Sequence, residues 1–451
     1  MVIKRQSELF SDWLENYIDY ERIKKKDGFS LDTMRYLVER FRHPERAFKS
    51  VHVAGSKGKG SVSAMIGRIF EASGRSTGLY TSPHMLDFTE RVARPSGAFD
   101  EELYGRAADI VVPLVESIIP SNVPGNAEPT WFELVTLFAF VAFREAGLDW
   151  AIIETGLGGR LDATNVIVPE AAVITPIELE HTEYLGSTVA QIAGEKAGII
   201  KEGVPVFLSE QTAEARTVLE ETARKRRAIA FSMEDAVRSI EAESSVRGLD
   251  VTVSFNRLNG GPSFERPIKA LIPMPNAIQA RNAALAAYVS KYLIPGLDEA
   301  TIESGLSRAW LPGRFEILGR EPAIVLDGAH TVRSLALTVE TFKKVFPGPA
   351  HILFACAADK DVESMAAIVV PAFERVSLTK PGIKKTSDLD RAVSAFQAAR
   401  GGRGAELAVD ERFDRAILAA VANAKSAGVP LLITGSFYLV TEAKSLLSPL
   451  N

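Results

Sequence analysis

The sequence predicts an α/β protein of two domains, each built on a mostly parallel sheet with helices on its faces. Short β-branched runs alternate with helix-length amphipathic stretches along the chain. Parallel sheets need that alternation, because each strand must be carried back to the same end by a crossover. The rhythm breaks at a polar stretch and a Pro-Gly pair and then restarts. With 451 residues, the chain also exceeds what one hydrophobic core ordinarily organises.

In the first half, residues 50–54, 76–81, 150–154, 171–175 and 204–208 read as buried strands, and 61–73, 130–145, 188–193 and 212–226 as helices. Residues 239–267 are polar. Within them the alternation Leu249-Asp250-Val251-Thr252-Val253-Ser254-Phe255 predicts a hairpin or a small antiparallel extension of the sheet. The loop Leu293-Ile294-Pro295-Gly296-Leu297-Asp298 places a boundary near residue 296, giving domains 1–296 and 297–451. Beyond it come a helix over 299–309 and strands over 323–326, 351–355, 375–378 and 430–434.

Composition removes several classes. A 46% hydrophobic, 24% charged chain with dispersed Gly and Pro is neither disordered nor low-complexity. The formal charge of −5 argues against nucleic acid held by bulk electrostatics. A single cysteine, Cys356, excludes an internal disulfide and a cysteine zinc cage. The start Met1-Val2-Ile3-Lys4-Arg5-Gln6 leads into no apolar signal core, and the apolar stretch 134–143 is too short to span a bilayer. The expectation is a soluble, cytoplasmic protein working on small molecules, without nucleic-acid or membrane partners.

Chemistry concentrates after the strands. Val51-His52-Val53-Ala54 runs into Gly55-Ser56-Lys57-Gly58-Lys59-Gly60-Ser61 and then an amphipathic helix. Glycines let backbone N–H groups converge on an anion, the helix start adds positive dipole, and Lys59 reaches the outer phosphates. The spelling departs from the ordinary P-loop, since Val53 stands at its first glycine and Gly60 separates Lys59 from Ser61. Glu154 ends the next apolar strand before Thr155-Gly156-Leu157-Gly158-Gly159-Arg160, at the mouth where open α/β sheets bind ligands, and is suited to Mg²⁺. His181 follows the strand 171–175; taken alone it reads as a structural histidine, and its place beside the other two segments makes it a ligand candidate. Lys196, taken alone, reads as a surface helix lysine. In the second half, Asp327-Gly328-Ala329-His330 follows a strand in the same manner.

In order, these segments resemble folylpolyglutamate synthase and dihydrofolate synthase, members of the Mur ligase superfamily. The likeness runs through Tyr80-Thr81-Ser82-Pro83-His84, Phe88-Thr89-Glu90-Arg91, Phe132-Glu133, Glu154 to Asn165, His181 to Gly186, Glu195 to Ile199, Gln279 to Ala283, Pro312 to Glu316, Asp327 to His330 and Gly435-Ser436-Phe437-Tyr438. It implies a P-loop ATPase domain followed by a smaller Rossmann-like α/β domain. The implied reaction uses ATP to ligate L-glutamate to a folate or dihydropteroate carboxylate through an acyl phosphate. Such phosphoryl transfer needs positioning and cations rather than a covalent nucleophile.

By the same resemblance, Gly55 to Ser61, Asn282, Arg314, Asp327 and His330 contact ATP, with Asp327 near the ribose and His330 and Arg314 near the phosphates. Ser82, Glu154 and His181 hold Mg²⁺. Lys196 matches a lysine whose carbamylation supports a second Mg²⁺. Lys59, Lys196 and His330 are the catalytic candidates. Pro83, His84, Phe132 and Glu133 face the pterin-bearing substrate, and a monomer is implied. Lys57, Glu180 and Thr331 depart from the family's usual Asn, Asp and Asn. Two other readings stay open: a Mur-type ligase acting on a non-folate carboxylate, and a non-catalytic nucleotide-binding relative.

Overall fold

In the computed structural model of the chain, residues 4–19, 30–126, 128–319, 321–383, 385–401 and 405–447 are described; Met1-Val2-Ile3 lie outside them. Two compact units emerge: Met1–Glu241 with Thr252–Ala270 and Ala280–Ala309, and Ala242–Val251 with Leu271–Gln279 and Trp310–Asn451.

The first unit is built on seven strands: β1 (Lys49–Ala54), β2 (Thr77–Tyr80), β3 (Val92–Ala93), β4 (Trp150–Glu154), β5 (Ala171–Ile174), β6 (Val206–Leu208) and β7 (Ala230–Ser232), in the order β3-β2-β4-β1-β5-β6-β7. All neighbours run parallel except β2 and β3. Val51, Val53, Ile152, Ile153, Val173 and Ile174 are fully buried, as expected where helices cover both faces of a parallel sheet. The helix Trp131–Glu145 covers part of one face, its Phe138 and Phe143 in an aromatic core with Phe10 and Tyr80. Further along the same face Ile192, Ala197, Leu208 and Leu219 pack together, and the helix Lys59–Ala72 lies on the opposite face, with Gly67 toward Ile152.

The alternating segment forms β8 (Val237–Ser245) and β9 (Gly248–Phe255), which with β10 (Ile268–Ile272) make a three-stranded sheet of their own in the order β10-β9-β8. The expected hairpin is present, and it does not extend the larger sheet.

The second unit carries six strands: β11 (Glu316–Leu318), β12 (Ile324–Leu326), β13 (His351–Phe354), β14 (Arg375–Leu378), β15 (Glu406–Val409) and β16 (Leu431–Thr434), in the order β11-β12-β16-β13-β14-β15. Only the β11–β12 pair is antiparallel. Its core gathers Val325, Phe342, Ile352, Met365, Phe396 and Leu432.

Three local differences from the sequence reading bear on the site. The change of unit falls at Ala309–Trp310 rather than near 296, because the helix Glu299–Leu306 packs on the helix Lys59–Ala72. Their approach is close enough that a Cβ on Gly305 would stand 2.5 Å from the Ile69 Cα. The helix after the glycine-rich turn starts at Lys59 instead of Ser61, and the helix expected over 188–193 continues through Gly194 to Ala197, carrying Lys196 in its last turn.

Candidate functional site

In the first sheet β1 lies between β4 and β5, so Gly55, Thr155 and Thr175 leave adjacent strand ends side by side. This is where the winding of an open α/β sheet reverses and its ligand crevice opens. The turn after β1 is bound to the turn after β5. Pro176 O accepts from Ser56 N–H and Lys57 N–H at 2.9 and 3.2 Å. Ser56 Oγ donates to Glu178 O at 3.1 Å and accepts from Glu178 N–H at 3.0 Å. Gly55 sits at φ +148°, and a Cβ there would lie 1.9 Å from Thr175 Oγ1, so no other residue fits without moving β5. Gly58 adopts a left-handed conformation and starts the helix at Lys59 without a side-chain cap. The first N–H groups of such a helix have no acceptor within it.

Cations converge on this turn. Gly55 O accepts from Lys59 Nζ at 3.0 Å and from Lys196 Nζ at 2.7 Å. Lys196, read from sequence as a surface lysine, is 1% exposed. Its ammonium also meets Glu180 Oε1 at 3.0 Å, while Lys57 Nζ stands 4.0 Å from Glu180 Oε2. Burial lowers Lys196 to about 8 and nearby Lys59 pushes the same way, against the opposing pull of Glu180. Burial works to raise Glu180, yet Lys196, Lys59 and Lys57 hold it down at about 2. As an ammonium, Lys196 is a donor in this network.

Glu154 is buried at the end of β4, where Ser82 N–H donates to its Oε2 at 3.3 Å; the structure thus joins two of the expected metal ligands. His181 stands in a left-handed conformation at the start of the helix Thr182–Leu185. Burial lowers its pKa, Glu180 opposes, and Lys59, Lys196 and Lys57 add to the lowering. Among the described residues no three His, Cys, Asp or Glu side chains gather as a metal site. The carboxylate of Glu154 and hydroxyl of Ser82 are hard oxygens of the kind Mg²⁺ takes alongside water and phosphate. Asn282 is buried with its amide against Gly58.

The loop expected to face the substrate is braced from below. Glu90 accepts from Met85 N–H and Leu86 N–H at 2.6 and 2.9 Å. Arg91, 1% exposed, donates to His84 Nδ1 at 2.7 Å and lies 4.7 Å over the Trp131 ring. Pro83 is exposed, and the Phe132 ring packs against Gly156. Glu133 closes a capping box with Thr130, whose N–H and hydroxyl donate to Oε2 at 2.8 Å each. Sequence reasoning missed two buried supports. Asp162 holds the glycine-rich turn after β4 by accepting Leu157 N–H at 2.8 Å, and His52 meets Thr164 Oγ1 at 2.8 Å. Neither residue carries a spacing that separates it from ordinary core polar residues.

The second unit assembles its own cluster. Asp327 is buried and accepts from Phe315 N–H, Ala329 N–H and Thr338 Oγ1 at 2.9, 2.9 and 3.0 Å. Burial raises its pKa against the pull of Arg314 and these donors. His330 Nδ1 donates to Gly328 O at 2.9 Å, and the Arg314 guanidinium lies 5.9 Å from the Phe437 ring centre. Thr331 caps the helix Val332–Val345 through Ser334 N–H, a role that Asn also fills.

Known proteins resemble this chain in sequence and fold. Residues 53–290 match the Mur ligase middle domain, and residues 313–437 match the Mur ligase glutamate ligase domain. A dihydrofolate synthase/folylpolyglutamate synthase of Bacillus subtilis is 31% identical over 421 residues, covering 92% of this chain and 94% of that one. The chain therefore belongs to the Mur ligase family, in the group of its dihydrofolate synthases/folylpolyglutamate synthases. A probable bifunctional folylpolyglutamate synthase/dihydropteroate synthase of Haloferax volcanii is 33% identical over 437 residues; the match takes in 95% of this chain and spans about half, 49%, of that longer protein. The crystal structure of Mycobacterium tuberculosis folylpolyglutamate synthase complexed with ADP and AMPPCP superposes with a TM-score of 0.86 at 26% identity, covering 98% of each chain.

Proposed function

We propose that this protein is an ATP-dependent ligase that joins L-glutamate to a folate or dihydropteroate carboxylate, releasing ADP and phosphate. The observation that carries the reading is Lys59 on the Gly55 carbonyl at an uncapped helix start, with Lys196 buried against the same carbonyl and Glu154 buried at the end of the neighbouring strand. The substrate carboxylate attacks the γ-phosphorus of ATP, ADP leaves, and the glutamate amine then displaces phosphate from the acyl phosphate. Charge grows on phosphoryl oxygens in the first step, and preorganised cations stabilise it where it forms. Lys59 faces those oxygens. Ser82, Glu154 and His181 would hold Mg²⁺, which supplies further charge neutralisation when bound, and Lys196 in its carbamylated form would support a second Mg²⁺. Arg314, Asp327, His330 and Asn282 are assigned to the nucleotide, and the His84 and Phe132 region to the pterin-bearing substrate. The same reading makes the protein a cytoplasmic monomer; among the described residues no helix is long and apolar enough to cross a membrane.

The test is ADP release by the purified chain with ATP, Mg²⁺ and glutamate, using dihydropteroate and tetrahydrofolate in parallel and separating products by mass. Glutamylated product is expected with at least one acceptor, and Lys59→Ala should lower turnover by about 10²–10³-fold. Turnover only with another carboxylate would assign a different Mur-type ligase. Equal, substrate-independent background turnover in both proteins would leave a nucleotide-binding relative.

A further inference from the structure

The turn that leaves β4 at Glu154 closes against the C-terminal end of the helix Val189–Ala197, and the contact is backbone against backbone. Arg160 N–H donates to Glu195 O at 2.7 Å. A Cβ on Gly159 would stand 2.8 Å from Glu195 O and 2.9 Å from Lys196 O, and one on Gly198 would stand 2.4 Å from the Arg160 Cα. One side chain joins both sides of this junction. Asn165, 7% exposed, donates through Nδ2 to Arg160 O at 3.0 Å and to Gly198 O at 3.1 Å. Its own backbone is held in turn: Asn165 N–H donates to Asp162 O at 2.8 Å, and Lys201 Nζ donates to Asn165 O at 2.9 Å. Among side chains this short, only the Asn amide offers two N–H groups to two carbonyls. On the outer side, Arg160 Nη2 adds an ion pair with Glu195 Oε1 at 2.8 Å.

We propose that Asn165 is a positioning residue of the metal site: by tying Arg160 O to Gly198 O, it fixes the helix end that carries Lys196 against the turn that leaves Glu154. This rests on the reading of Glu154 and carbamylated Lys196 as groups that support Mg²⁺. The tie acts on the main chain, so it sets where the Lys196 side chain starts and holds for its carbamylated form. Groups that share a metal must keep their spacing to within about 0.5 Å, and supports outside the ligands commonly carry about 10–100-fold of metal affinity. The opposing possibility is a buried amide that only stabilises the fold. The two differ in whether the effect depends on Mg²⁺.

The experiment is calorimetric titration of the full chain with ADP, once with Mg²⁺ and once with EDTA, for wild type, Asn165→Ala, Asn165→Asp and Asn165→Ser, with thermal unfolding of each in parallel. Wild type that binds no ADP overturns the nucleotide reading itself. Wild type that binds ADP equally in both buffers overturns the metal reading, and the proposal with it. With Mg²⁺ strengthening wild-type binding, Asn165→Ala is expected to weaken ADP by about tenfold with Mg²⁺ and by less than about twofold without it. Asn165→Asp sets a carboxylate against two carbonyl oxygens and should lose at least as much, whereas Asn165→Ser keeps one donor and should lose less. Equal loss in both buffers overturns the proposal, as does a lowered unfolding temperature with the Mg²⁺ gain intact. Should the Asn165 variants not fold, Glu195→Ala removes the outer ion pair from the same junction. A drop of about twofold confined to Mg²⁺ is then expected, and its absence overturns the proposal.

Discussion

Each unit sends a strand through a tight turn into a helix, and the two turns are built with opposite charge. After β1 the turn has no side-chain cap, since Gly58 supplies none, and Lys57, Lys59 and Lys196 are drawn around it by Gly55 O and Glu180. After β12 the turn closes on itself: Asp327 takes two backbone N–H groups and the Thr338 hydroxyl, and Thr331 caps the helix that follows. The same topology therefore yields an open anion cradle in one place and a self-satisfied corner in the other. What separates them is whether a side chain of the turn consumes the donors of the helix start.

The sharpest way to break this contrast is to fill both turns. In Gly55→Ala the methyl would meet Thr175 Oγ1 at 1.9 Å and Thr175 O at 2.9 Å from a backbone at φ +148°. A loss of roughly 3 kcal/mol is expected in urea unfolding, from overpacking and backbone strain together. In Gly328→Ala the methyl meets the end of the Arg314 side chain at 2.9 Å and the Phe437 ring at 3.1 Å, neighbours that can give way. Its cost should stay near 1 kcal/mol. Equal losses would remove the distinction between a rigid cradle and a yielding corner.

A smaller effect probes the second corner alone. Asp327→Asn replaces one acceptor oxygen by an NH₂ group that must face a buried donor. About 2 kcal/mol should be lost at neutral pH, with the loss shrinking as acid protonates the wild-type carboxyl, whose pKa burial raises. An undiminished loss in acid would contradict the assignment.

The last effect vanishes at neutral pH and grows only in acid; it lies beneath the first turn, on β1. Burial, with a contribution from Lys201, depresses His52 from 6.5 to about 3. Between those values the unfolded chain holds the extra proton, so the His52 contribution is complete above pH 6.5 and is lost as pH falls toward 3. Comparison of wild type with His52→Gln should show this slope, about 1.4 kcal/mol per pH unit, in the wild type only. Parallel stability curves would show that His52 is protonated in the fold.

Legibility in the sequence followed burial. The central strands β1, β4, β5, β13 and β16 were readable because both of their faces are covered, which leaves a continuous apolar run. Among the described residues five strands went unread, β3, β7, β10, β11 and β15, and all are sheet edges. β11 is only half-buried and β15 is half-exposed, so neither shows the apolar run of a covered strand. Gly194 read as a helix end, although its side faces open space and the helix runs past it.

At the site, the residue types and their order along the chain determined the fold class, the glycine-rich turn and the carboxylate at the end of β4, because those depend on local spacing. Tertiary structure decided which charges meet. Lys196 is a surface lysine by local pattern, and it becomes a buried donor only because its helix brings it to Gly55, 141 positions away in sequence. Glu133, by contrast, caps its own helix with Thr130, a role that the local spacing of the two residues already spells. Lys57 had no evident partner in the sequence. It acquires one when the turns after β1 and β5 meet and bring Glu180 beside it, since an ion pair depends on distance in space and local pattern carries no record of that distance.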